Sequence, residues 1–230
     1  MAEVVELRER LLSSGISITH MKIGEKTMKR YLKAHHTVDA AYEKIMATNS
    51  WRGEFGVASI TADIPGVKRA SESKVSVILN ERDKKGRPVV YVAVRNHSIH
   101  RRNVDDMIQL IVYTLETATS KCIEDGLDNI CLVFDMKDFS MMCMDYTVLK
   151  NLFTIMTEHY PERLGVCVIL SAPFIFSACW IIIRSCERSR SFSLSTVSRL
   201  DENTAGKIKF IKSNDDLRLY IDPSFLPINL

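Results

Sequence analysis

Asp135 and Asp138 stand at the end of an apolar run, Ile130 to Phe134, that reads as a strand. Two carboxylates so placed can share acid–base work. The commoner role of aspartates at a strand end is to cap free backbone groups. His35-His36 offers two imidazoles for a metal, but adjacent helical residues do not share a face and no clear third ligand stands with them. Gly24-Glu25-Lys26-Thr27 superficially resembles a phosphate loop. It lacks the adjacent Gly-Lys pair and the earlier glycine, and no strand leads into it. The signatures of dinucleotide binding, of a nucleophile elbow and of a zinc protease are missing. No enzyme, metal or cofactor is expected from these residues.

Composition narrows the class. The chain has 230 residues, 46% hydrophobic and 26% charged, with a formal net charge of +3. That length suits one large domain or a domain with a small extension. So small a charge argues against nucleic acid and permits weak attraction to an anionic membrane. The start, Met1-Ala2-Glu3, lacks the basic and apolar regions of a signal peptide. The six cysteines are dispersed among mostly apolar neighbours with no CxxC pair, the usage of reduced intracellular thiols. The expectation is a cytoplasmic protein.

The elements that position these residues follow from periodicity. Thr37 is a good cap, and Ala41, Tyr42, Ile45 and Thr48 follow at helical spacing. The stretch from Gly56 to Ser73, with Pro65, two glycines and mixed polarity, reads as a boundary. Strands are expected over Val75 to Leu79 and Val89 to Val94, joined by the turn Asp83-Lys84-Lys85-Gly86-Arg87-Pro88. Asn103 caps a long helix that Gly126 stops. Asp145 opens another helix, with Val148, Leu149, Leu152, Phe153 and Met156 on its buried side. Lys207 to Ile211 is a last short strand. Strands alternating with helices imply an α/β fold with a mixed, mostly parallel sheet and one hairpin at its start.

Gly165 to Ile183 is an uncharged run of 19 residues, near the length of a membrane span. Its first part, Val166 to Leu170, is β-branched like a strand buried on both faces. Ser171-Ala172-Pro173 interrupts it, and Phe174 to Ile183 then reads as a helix apolar all round. Such a helix must be buried or must face something apolar.

A series of motifs runs along the chain: Asp83 to Val89, Val133-Phe134-Asp135-Met136-Lys137, Met144-Asp145-Tyr146, Tyr160 to Gly165, Ser171 to Ser177, Leu200-Asp201, Lys207-Ile208-Lys209-Phe210 and Leu226-Pro227. Their order resembles the CRAL-TRIO lipid-binding family of phosphatidylinositol, tocopherol and retinaldehyde carriers. Lys29 to Ala34 and Trp51-Arg52 look like the family's small N-terminal helical domain. The resemblance implies residues 1–60 as that domain and 70–230 as the lipid-binding domain. It implies a cavity floored by the sheet and closed by a gate helix, here Phe174 to Ile183, for which a plain core helix is the alternative. Phe134, Phe174, Phe176 and Trp180 are then cavity or gate residues. The implied function is non-covalent binding and membrane-to-membrane transfer of one lipid, a phospholipid such as phosphatidylinositol, with a transient membrane surface as partner and no protein partner specified.

In phosphoinositide-binding members, the residues matching Glu162, Thr204 and Lys207 contact the head group. Each has a plainer reading: Glu162 paired with Arg163 in its turn, and Thr204 and Lys207 as solvated helix residues. Two departures stand out. His35-His36 replaces the Arg-Lys pair usual in phosphoinositide binders, which leaves open a tocopherol- or retinoid-like ligand, or a lipid-sensing module that regulates a partner. A Ser- and Arg-rich insertion at about 185–199, with no apolar period, reads as flexible.

Overall fold

Helix α1 (Ala2–Ser13), α2 (Glu25–His35) and α3 (Val38–Phe55) open the chain. They enclose an apolar cluster of their own, in which Leu7, Ala41 and Ile45 are fully buried. The structure is a computed structural model and describes residues 2–15, 20, 21, 23–173 and 206–227. Phe174, Phe176, Trp180, Thr204 and the insertion at about 185–199 lie outside the described residues.

A five-stranded sheet follows, in the order β1 (Ser76–Arg82), β2 (Pro88–Ala93), β3 (Ile130–Asp135), β4 (Leu164–Leu170) and β5 (Ile208–Ile211). β1 and β2 form an antiparallel hairpin, and the other neighbours pair in parallel. The mixed, mostly parallel α/β sheet expected from the sequence is therefore present. Because strand order follows chain order, crossovers of one hand carry α5 (Val104–Glu124) and α6 (Tyr146–His159) onto the same sheet face. The opposite face packs Tyr91, Val133 and Val168 against Leu217 and Ile221 of the C-terminal segment.

Local chemistry sets the helix starts. Thr37, Asn103 and Asp145 each accept a hydrogen bond from the backbone N–H three residues on, which satisfies a donor the helix leaves free. The stretch read as a boundary, 56–73, holds a 3₁₀ turn over Val57–Ser59 and helix α4 (Pro65–Ser71). Proline sits at the first helical turn of α4, where its missing N–H costs nothing. Val67 and Ala70 bury against Met107 and Leu110 of α5.

The turn Asp83 to Arg87 is built around one carboxylate. Asp83 Oδ1 accepts from the Lys85 and Arg87 N–H groups at 2.9 and 2.8 Å, and Oδ2 from Arg87 Nε at 2.6 Å. The Arg87 guanidinium then lies against Gly165, where an added Cβ would sit 2.4 Å from Nη1. Two motifs far apart in sequence thus fit because one of them supplies no side chain.

Candidate functional site

Along β2, β3 and β4 every second residue turns toward α5 and α6. Val90, Val92, Leu132, Phe134, Cys167 and Ile169 make one wall of a cavity of about 160 Å³. Met107, Leu110, Ile111 and Leu115 of α5 lie at helical spacing on a second wall, and Val148, Leu149, Leu152 and Phe153 of α6 on a third. The sequence expected this α6 stripe on the buried side of its helix. Met156 is buried there, and the other four are half-buried and border the cavity. Protein interiors hold few voids larger than a water molecule. A cavity lined by Val, Leu, Ile, Phe and Met holds a guest by burying apolar surface.

Two polar side chains, His97 and Asp145, stand in the apolar lining. Asp145 caps α6 through Val148 N at 3.1 Å, and the same carboxylate accepts from Arg102 and lies 3.1 Å from His97 Nε2. Burial pushes the Asp145 carboxyl up, but Arg102, the Val148 N–H and His97 outweigh it and bring it down to about 2. Asp135 acts at the neighbouring strand end. It accepts from Lys137 N at 3.0 Å, from Arg95 Nη1 at 2.7 Å and from the Tyr91 hydroxyl. This is the strand-end role and leaves the carboxylate fully engaged; Asp138 sits beyond it in the left-handed region, at φ 56°.

The Tyr160 to Gly165 turn positions Glu162. Its backbone is left-handed, at φ 57°, uncommon for a non-glycine residue. The carboxylate is held by Lys33 Nζ of α2 at 2.7 Å and by Lys207 Nζ, just before β5, at 3.3 Å. Burial pushes Glu162 up, and the two lysines hold it below the ordinary glutamate value. Glu162 and Lys207, matched separately to the head-group motif, are thus in direct contact. Arg163 turns away and donates to the Asp128 carbonyl at 2.8 Å. Lys207 also anchors β5, its carbonyl accepting from Cys167 N at 2.9 Å, and the next residue, Ile208, lines the cavity.

Sequence reasoning missed Lys33, His97 and Arg102. Lys33 lies 129 residues from Glu162, and no local spacing signals that pairing. His35-His36 does not form a ligand pair. His35 is half-buried with its Nε2 lacking a hydrogen-bond partner among the described residues. Burial and the nearby Lys44 charge lower its pKa. His36 ends α2 in the left-handed region, at φ 63°.

An apolar cavity between a mostly parallel sheet and two crossover helices, with a charged cluster at its flank, defines an α/β ligand-binding fold. A family model described as CRAL/TRIO domain matches residues 72–230, and the chain belongs to that family. A CRAL-TRIO domain-containing protein of Schizosaccharomyces pombe is 32% identical over 201 residues, which is 84% of this chain and 42% of that protein. A phosphatidylinositol transfer protein of Eremothecium gossypii is 33% identical over 148 residues, 64% of this chain and 31% of that protein. The chain spans less than half the length of either relative. The crystal structure of Sfh5 shares the fold at a TM-score of 0.64 and 17% identity, covering 83% of this chain and 64% of that one. Among the described residues no helix is long and apolar enough to cross a membrane.

Proposed function

We propose that this protein binds one lipid non-covalently in the cavity between the sheet and α5 and α6, and transfers it between membranes. The observation that carries this reading is the cavity itself, walled by alternate residues of three strands and by one face of each helix. Family membership and a relative described as a phosphatidylinositol transfer protein support it. Glu162 and Lys207, with Thr204 of the same motif, are proposed to meet a phosphate-bearing head group, Lys207 as the cation. Phe134 forms part of the wall for the acyl portion, with Phe174, Phe176 and Trp180 assigned to the gate. Residues 1–60 are proposed as the small helical domain and 70–230 as the lipid-binding domain, acting in the cytoplasm and meeting membranes transiently.

A specific observation favours a second reading, a carrier of an uncharged tocopherol- or retinoid-like ligand. His35-His36 replaces two fixed charges, and Glu162 offsets part of the charge of the two lysines it contacts, Lys33 and Lys207. Native mass spectrometry of the purified protein, with phosphorus analysis of its organic extract, separates the two. About one phosphorus per chain supports the phospholipid, and a stoichiometric lipid without phosphorus supports the second. No stoichiometric lipid overturns the carrier reading.

A further inference from the structure

We propose that the paired loops at residues 97–102 and 139–146 form the surface by which this protein docks on an anionic phospholipid bilayer. The inference deepens the carrier reading, since it places the docking surface beside the cavity, but it has its own readout. Met141, Met142 and Tyr146 are 56%, 54% and 52% exposed. Single exposed hydrophobic residues are ordinary. Three large ones in so short a stretch make a patch that calls for a partner.

Two further facts decide which partner. The same loop contributes Phe139, Cys143 and Met144 to the cavity wall, so one short segment is apolar both toward the cavity and toward the outside. The patch is also held in place. Ile99 N donates to the Met142 carbonyl at 3.1 Å, and His97 and Arg102 both engage Asp145. That first bond sets the exposed His100 and Arg101 beside the exposed methionines. Arg101 makes no ion pair among the described residues, and Lys137 is exposed at the loop's start. The exposed acids that border the two loops are Asp138 and Asp105. Apolar tips with cations at their flank fit a bilayer interface that carries anionic lipid, and continuity with the cavity gives a lipid a short path between the two.

The test is sedimentation of the full chain with phosphatidylcholine vesicles containing about 30 mol% phosphatidylserine, an anionic surface of the kind cationic side chains read. The double variant Met141→Ser/Met142→Ser is expected to lower partitioning about tenfold or more. Arg101→Gln is expected to lower it about fivefold at low salt and little at high salt. Both variants should keep the wild-type lipid content by native mass spectrometry and the wild-type thermal midpoint. Unchanged partitioning in both variants, or no vesicle binding by the wild type, overturns the proposal. So does a loss of bound lipid and thermal stability together with binding, because the loop would then belong to the cavity and the core. A wild-type protein that carries no lipid while the variants still lose vesicle binding sinks the carrier reading and leaves the docking surface standing. Selective capture of a protein in place of vesicles overturns the bilayer as occupant.

Discussion

Glu162 shows how one side chain ties three parts of the chain together. A left-handed glutamate costs backbone energy, of order 1 kcal/mol or more, and its two lysine contacts help fix the turn in that state. Only the turn and the family likeness made Glu162 and Lys207 legible as candidate site residues. Lys33, the shorter contact of the two, lies in the stretch that resembles the family's helical domain, but nothing in it signals a pairing with a residue 129 positions on. Lys207→Ala tests the phosphate role. It should weaken binding of phosphatidylinositol by roughly 1.5–3 kcal/mol, the worth of a charge-assisted bond, and leave an uncharged retinoid-like ligand nearly unaffected. Titration with both ligands checks this, and equal losses would show that Lys207 acts through folding. Gly165→Ala tests a purely steric fit. The added methyl meets the Arg87 guanidinium at 2.4 Å, so unfolding free energy in urea should drop by about 1–3 kcal/mol, with the ligand preference unchanged.

Among the helices, α3 and α6 meet through a stack that responds to pH. The Trp51 and His159 rings lie 3.9 Å apart and 4° from parallel. Lys44 pairs with Glu158 beside them, and Thr48 Oγ1 lies 3.3 Å from His159 Nδ1. Burial, helped by the Lys44 and Arg52 charges and opposed by Glu158, lowers the His159 pKa to about 4 from an ordinary 6.5. Between those values the unfolded chain binds the proton that the folded chain refuses, so stability falls as pH drops through this window. His159 is only partly buried, which limits the effect to about 1 kcal/mol. Urea denaturation at several pH values should show this slope in the wild type. In His159→Phe, which keeps the stack, the slope between about 6.5 and 4 should shrink, while the part contributed by His35, whose pKa burial also lowers, and the loss from paired carboxylates such as Glu116 should remain. An unchanged slope would place the titration elsewhere. The elements that carry these groups were largely readable. Thr37, Asn103 and Asp145 announced their helices because a cap is a local signal. α4 was missed because Pro65 inside a mixed-polarity stretch reads as a break, although at a first helical turn it is a start.

At the scale of the whole molecule the two sheet faces differ in a way the strands do not announce. β2 reads Pro88-Val89-Val90-Tyr91-Val92-Ala93, apolar at every position, so both faces are plainly covered. Whether a face is filled by packed side chains or borders a cavity depends on how closely the covering element approaches, and that is a long-range property. α6 illustrates it: an apolar stripe looks the same whether it meets a core or a guest. Neighbouring residues of β4 turn the difference into a test. Cys167 borders the cavity, and Val168, on the opposite face, is fully buried in the packed cluster with Leu217 and Ile221. Val168→Phe must push into close-packed neighbours and should cost about 1–3 kcal/mol. Cys167→Phe has a cavity of about 160 Å³ to enter. In delipidated protein it should be neutral or stabilising by about 0.5–2 kcal/mol, as cavity filling commonly is. The same ring occupies space a ligand needs, so Cys167→Phe should also purify with less lipid, whereas a folded Val168→Phe should keep its ligand. Thermal midpoints and extracted lipid measured on both variants decide the matter. Equal destabilisation by the two substitutions, with lipid content unaltered, would mean that the α5/α6 face is an ordinary core and that the ligand, if one binds, sits elsewhere.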